Sequence, residues 1–218
     1  MTVQKQVNKA HYDFNKYVDL YHWNSFFYQI DEIIKTTPKS ILEVGLGTGI
    51  VKYILKDVLH YNYESMDIDP ELNPDHVGSI LAMPFRDKQY DVVGCFEVLE
   101  HLHYCDFEKA LSELFRVANK AVIFSLPDAG PIVPVHISGF ARKKLIKMPF
   151  TKLKKHVFDG EHYWEINKRG YELNKIISQI KNIGGNFNFV LDKEYRMFEN
   201  PNHHFFVMKN CTLWQKNE

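Results

Sequence analysis

Three glycines at every second position, Gly45, Gly47 and Gly49, follow an acid, Glu43, in the stretch "ILEVGLGTGIV". A backbone bared of side chains lets a ligand approach closely, and a helix starting just beyond it offers unpaired N–H donors. Such a turn serves both dinucleotides and adenosyl ligands. The dinucleotide pattern needs a glycine at the sixth position, where this chain has Ile50, and Glu43 would repel a pyrophosphate while accepting hydrogen bonds from a cationic or donating ligand. Farther along, "SMDIDP" places Asp67 at a strand end, where a carboxylate can take both hydroxyls of a ribose. A third group lies in "FEVLEHL". If this stretch is the first turn of a helix leaving a strand, Glu97, Glu100 and His101 share one face at i, i+3 and i+4. Two carboxylates and an imidazole can ligate Mg²⁺ or Mn²⁺. Alternatively His101 acts unaided as a general base, or the acids simply favour a helix N-terminus.

These residues need a frame that brings strand ends together. The spacing of apolar and aromatic residues predicts one or two amphipathic helices between Tyr12 and Lys35, ending before Pro38. A strand "SILEV", the glycine turn and a helix over Ile50 to Leu59 follow, then a strand in "YNYESMDID". "YDVVGCF" and "KAVIFSLPD" have the compact apolar composition of strands buried on both faces. "EVLEHLHY" and "FEKALSELFRVAN" have helical spacing, and "KRGYELNKIISQIKNIGG" is a helix with a glycine stop at Gly184. Two strands, "NFNFVLDKEYRM" and "HHFFVMKNCTLW", close the chain. The order is that of an α/β fold with a mostly parallel sheet.

The ExGxGxG pattern at Glu43 to Gly49, with Asp67 and "GSILAMPFRDKQYDVVGCFEVLEHL", resembles the class I S-adenosylmethionine-dependent methyltransferases of the small-molecule type. The resemblance covers roughly Ser40 to Pro127 and, more loosely, the last third. It implies a Rossmann-like, mostly parallel seven-stranded sheet with helices on both faces and an antiparallel C-terminal strand, in one domain. Residues 1–38 would form an N-terminal helical cap and 131–165 a lid insertion. It also implies a cofactor set of Glu43, Gly45, Leu46, Gly47, Gly49, Asp67, Ile68, Ser79, Ile80 and Phe96. Ile68 and Ile80 would sandwich the adenine, and Ser79 stands where the family often has an adenine-binding aspartate. "GEHYWEINKRGY" looks like the DHxFEW-type segment of small-RNA 3'-terminal 2'-O-methyltransferases, which pair it with an ExxEH segment to hold a metal. On that resemblance His162 joins Glu97, Glu100 and His101 as a ligand. The same two segments resemble ubiquinone-pathway O-methyltransferases and methyltransferases of cell-surface sugar clusters, so the acceptor stays open. Catalysis falls to His101, His162 and Glu97. Tyr163 and Trp164 read as pocket wall or aromatic plug, and Tyr17, Tyr21 and Trp23 as a cover over the cofactor pocket or as core.

The chain has 218 residues, 27 basic and 27 acidic, so any attraction for an anionic partner is local. It is concentrated between positions 142 and 155, where Arg142, Lys143, Lys144, Lys147, Lys152, Lys154 and Lys155 occur without an acid. Such a run is a solvated face, or it attracts a phosphorylated acceptor, an RNA end or an anionic membrane. The unrelated spacing of Cys95, Cys105 and Cys211 fits small core residues in a reducing compartment. With no apolar run of spanning length, the composition reads as a cytoplasmic protein. The leading expectation is O- or N-methylation of a small molecule. The alternatives are RNA 3'-terminal 2'-O-methylation with a metal, a non-catalytic adenosyl-ligand binder, and, disfavoured by Glu43 and Ile50, a dehydrogenase.

Overall fold

The sheet is built around Ile41–Val44 (β1), four buried residues that pair in parallel with Tyr63–Asp67 (β2) on one side and Tyr90–Phe96 (β4) on the other. This computed structural model describes residue 7, residues 9–137, 142–148 and 153–214, with the side chains of Ile137, Arg142 and Trp214 excepted. The remaining strands are His76–Val77 (β3), Ala118–Pro127 (β5), Ile132–Ile137 (β6), Arg142–Lys147 (β7), Phe189–Arg196 (β8) and His203–Asn210 (β9). The main sheet has the order β3-β2-β1-β4-β5-β9-β8, with β9 antiparallel to both neighbours, which matches the Rossmann-like seven-stranded arrangement. The strand order reverses at β1 and β4, and the crevice beyond their carboxyl ends is where an open α/β sheet seats a ligand.

Alternation along the strands feeds two cores. Leu42, Val44, Val93, Phe124 and Phe206 turn to the face covered by Phe107–Val117 (α3) and Leu173–Gly185 (α4). Ile41, Val92, Phe96, Ile123 and Phe205 turn to the face covered by Leu20–Lys35 (α1) and the helix after the glycine turn (α2). Asp19 caps α1 by accepting from the His22 N–H at 2.9 Å. α2 is regular only over Ile50–Lys52 and widens into π-type turns over Tyr53–Val58. Among the described residues no helix is long and apolar enough to cross a membrane.

Three expectations change. The stretch after β4 is not a helix: Glu97 is left-handed at φ 53°, Leu99–His101 is a single 3₁₀ turn, and Leu102 is extended. Glu97, Glu100 and His101 therefore do not line one helical face. The 131–165 segment begins as an antiparallel hairpin, β6–β7, forming its own two-stranded sheet. Cys105 is exposed, whereas Cys95 is buried.

Candidate active site

The turn after β1 is shaped by backbone demands. Gly45 has φ 89°, and a Cβ there would lie 2.3 Å from the Val98 side chain, so only glycine fits. Gly47 is also left-handed, and a Cβ there would touch the Tyr12 ring at 3.7 Å. Asp67 at the end of β2 locks the turn: one carboxylate oxygen accepts from the Leu46 N–H at 2.7 Å and the other from the Asp69 N–H at 2.8 Å. Each oxygen retains lone-pair capacity for one more donor. Burial raises the Asp67 pKa, and the two backbone donors offset part of that rise. Glu43 differs from expectation, because its buried carboxylate already accepts the Tyr63 hydroxyl. Burial pushes its pKa up to about 8; the Tyr63 bond pulls it down and the Asp67 charge adds to the rise. Near neutral pH it is largely protonated. Ser79 also lines the cavity, its hydroxyl oxygen accepting from the Leu81 N–H at 3.2 Å, and Ile68, Ile80 and Phe96 supply apolar wall.

A second wall comes from distant segments. His101 donates from Nδ1 to the Glu161 carbonyl at 3.0 Å, which fixes the tautomer and makes Nε2 the basic nitrogen; burial holds its pKa below the ordinary imidazole value. The His162 ring lies 5.1 Å from that of His101, and its Nδ1 is 3.2 Å from a Glu165 oxygen. Burial would lower the His162 pKa, but Glu165 and Asp159 outweigh it and raise the value. Glu100 is fully buried, neither carboxylate oxygen has a hydrogen-bond partner, and burial next to Glu97 drives its pKa well up. Glu100, His101 and His162 bring ligand atoms within 4.8 Å of one another. Glu97 stands apart from that cluster, with one carboxylate oxygen 3.7 Å from His203 Nδ1. Trp164 is buried against Tyr104 and Phe107, a plug rather than a pocket wall.

Both walls enclose one cavity of about 520 Å³. It gathers Glu43, Gly45, Leu46, Gly47, Asp67, Ile68, Ser79, Ile80, Phe96, Glu97, His101 and His162; Gly49, the residue before α2, lines a smaller neighbouring pocket. The sequence reading missed His11, Tyr12, His22, Ser25, Gln29 and His203, which also line it. His203 Nδ1 is 3.2 Å from Ser25 Oγ, itself held at 3.0 Å by Asn200. The rings of His11, Tyr12, Tyr17 and His22 form a continuous cluster, with Tyr17 and His22 centroids 4.5 Å apart. The signal for this segment was its aromatic density. Tyr17 does face the cavity, whereas Tyr21 and Trp23 are 58% and 49% exposed and do not line it. Four carboxylates line the cavity (Asp67, Asp69, Glu97 and Glu161), with Glu43 largely protonated beside them, against one lysine, Lys16, among the described residues. None of Lys143, Lys144, Lys147, Lys154 and Lys155 lines it, and Lys152 and the Arg142 side chain lie outside the described residues.

Residues 42–126 match the family model described as a methyltransferase domain. An uncharacterized protein of Methanocaldococcus jannaschii is 33% identical over 84 residues, 35% of each protein, so the match spans about a third of that relative's length. The structure resembles that of a Pyrococcus horikoshii protein at 13% identity, covering 94% of this chain and 99% of that one, TM-score 0.56. It is similar to an S-adenosylmethionine-dependent methyltransferase from Clostridium acetobutylicum at 11% identity, covering 91% and 95%, TM-score 0.56. It is also similar to the magnesium protoporphyrin IX methyltransferase of Synechocystis with bound S-adenosylhomocysteine, at 14% identity, covering 95% and 90%, TM-score 0.55. Residues 42–126 thus match a methyltransferase domain, and the strand order that contains them is the fold of these S-adenosylmethionine-dependent methyltransferases.

Proposed function

We propose that the chain moves the methyl group of S-adenosylmethionine onto a hydroxyl oxygen, or a nitrogen, of a small molecule that carries no phosphate into the cavity. One observation carries this reading: a single cavity joins the glycine turn and Asp67 at one end to the tautomer-fixed His101 at the other. The sulfonium methyl is already a strong electrophile, so the protein must mainly position the acceptor, exclude water and take up a proton. In this assignment the bare backbone from Gly45 to Gly47 abuts the methionine end. Asp67 accepts the two ribose hydroxyls on its remaining lone pairs, Ile68 and Ile80 flank the adenine, and Ser79 meets its edge. Glu97 and His203 hold the acceptor, and His101 Nε2 receives its proton. The surplus of carboxylates over lysine supports a neutral or cationic acceptor.

The test pairs calorimetric titration with S-adenosylhomocysteine and transfer of labelled methyl to fractionated metabolites. Binding with transfer is the expected outcome. Binding without transfer to any fraction leaves a non-catalytic adenosyl-ligand binder, and no binding at all removes the proposal.

One observation favours a second reading, with a divalent ion such as Mg²⁺ or Mn²⁺ on Glu100, His101 and His162: the donor atoms converge, and Glu100 has two buried oxygens without partners. A borderline cation suits this mixed nitrogen and oxygen set and would supply Lewis-acid activation of a hydroxyl, as needed for 2'-O-methylation at an RNA 3' end. The acidic lining weighs against a polyphosphate chain in the cavity. Loss of transfer on chelation, restored by Mn²⁺, would establish this second reading.

A further inference from the structure

The face of α1 that closes the cavity is polar, and its opposite face is apolar. Ser25, Gln29, Glu32 and Ile33 are buried, whereas Leu20, Trp23 and Phe27, at i, i+3 and i+7 on the opposite side, are 74%, 49% and 60% exposed. Soluble helices place charge on that side; here the outward stripe would suit a core. The β6–β7 hairpin repeats the anomaly. Val133 and Ile146 are cross-strand partners, hence on one face, and are 43% and 46% exposed; Lys144, opposite Val135, shares that face. Lys144 makes no ion pair among the described residues, and Met148 is exposed on its side of the strand, while Lys143 and Lys147 turn to the other face.

Helix and hairpin are tied to one loop. Glu199 accepts from the Tyr28 hydroxyl on α1 at 2.9 Å and from Lys143 on β7 at 2.6 Å. Lys143 also sits over the Phe198 ring at 5.4 Å. This loop, between β8 and β9, lies at the carboxyl end of the parallel strands, where His203 enters the cavity. The apolar stripe and the basic hairpin therefore occupy the same end of the domain, around the site.

We propose that this end docks on an anionic lipid bilayer, with Leu20, Trp23 and Phe27 entering the headgroup boundary and Lys144 meeting lipid phosphates. The choice of occupant follows from the mixture. An RNA would satisfy the lysines but give no place to Leu20, Val133 and Ile146, whereas an anionic interface accepts aliphatic side chains, an indole and ammonium groups together. The inference is independent of the methyl acceptor.

The full chain is sedimented with vesicles of phosphatidylcholine alone and of phosphatidylcholine with phosphatidylglycerol. Partition to the anionic vesicles is about tenfold stronger or more, and weakens as salt rises. Trp23→Ser with Phe27→Ser lowers partition to both vesicle types about tenfold or more. Lys144→Glu weakens the preference for phosphatidylglycerol severalfold. All three side chains are exposed, so the variants melt like the parent, which separates lost docking from lost folding. Equal or absent partition to the two vesicle types overturns the proposal, as does partition unchanged in the variants. Light scattering showing a dimer that Trp23→Ser with Phe27→Ser dissolves would assign the stripe to a second copy. Tight binding of a single-stranded oligoribonucleotide, lost in the lysine variant while vesicle partition persists, would assign the hairpin to RNA.

Discussion

The two walls of the cavity are built on opposite plans. The cofactor-side wall is almost contiguous, running from Glu43 to Ile80, and its geometry rests on left-handed glycines and backbone N–H groups gathered by Asp67. The other wall is assembled from positions as far apart as His11 and His203, through side chains: the imidazoles of His11, His22, His101, His162 and His203, Glu97 and the Tyr12–Tyr17 ring pair. Its polar groups are held from behind, His101 by Glu161, His162 by Glu165 and Ser25 by Asn200. A ligand shared by a whole family can be met by a backbone that one short segment specifies. A ligand particular to one protein is met by side chains that only the tertiary fold can bring together. If this division is right, damage on each side must stay on that side.

The largest effect separates them most sharply. His101→Ala should lower kcat by about a thousandfold, the loss expected for a general base, while affinity for S-adenosylhomocysteine changes less than about twofold. Stopped-turnover assays alongside calorimetry give both numbers. An affinity loss as large as the kcat loss would mean that His101 belongs to the cofactor wall. Conversely, Asp67→Ala should weaken S-adenosylhomocysteine about a hundredfold, the worth of two charge-assisted hydrogen bonds, and leave kcat at saturating cofactor nearly unchanged. It should also lower unfolding free energy by about 1–3 kcal/mol, because the Leu46 and Asp69 N–H groups lose their acceptor.

The same division explains what could be read from the amino-acid order. β1, its glycine turn and Asp67 were legible because each obeys a local rule: a buried strand is apolar, a left-handed turn needs glycine, and a strand end presents its carboxylate. The compact apolar runs likewise marked β4 and β5 as buried strands, whereas the seven-stranded sheet came from the family resemblance. "EVLEHL" was misleading, since acids and a histidine at i, i+3 and i+4 imitate a helix that the left-handed Glu97 and extended Leu102 forbid. The β6–β7 hairpin was hidden by Pro134 and by a basic second strand, neither typical of a paired strand. His203 carries no local motif; it reaches the cavity only because β9 runs antiparallel beside β5. Ser25 and Gln29 carry no motif either; they reach the cavity because they lie on the buried face of α1.

Glu97 allows a smaller test with two readouts of opposite sign. Its backbone sits at φ 53°, where a side chain costs about 1 kcal/mol relative to glycine, and one carboxylate oxygen is buried without a hydrogen bond. Glu97→Gly should therefore raise the melting temperature slightly while acceptor KM rises about tenfold. A variant both less stable and fully active would remove Glu97 from the acceptor wall and leave it a structural residue.

The smallest effect concerns the support beneath that wall. His204 is buried between Asp128, 2.9 Å from its Nδ1, and Glu194, at its Nε2. Arg196 stands 3.3 Å from Asp128, and Lys147 acts on Glu194. Burial alone would lower the His204 pKa, but the two carboxylates outweigh it and raise the value above 6.5. A raised histidine pKa contributes stability that is fully present below the unfolded value and is lost as pH climbs through the folded value. The carboxylates, both lowered, contribute above their ordinary values and fade as pH falls. Urea unfolding should therefore show stability declining as pH rises above the ordinary imidazole value, with His204→Gln flattening that limb. Affinity for S-adenosylhomocysteine should not follow it, because none of these groups lines the Gly45 to Ile80 segment. If cofactor affinity falls in step with stability, the two walls are one cooperative unit and the division between them fails.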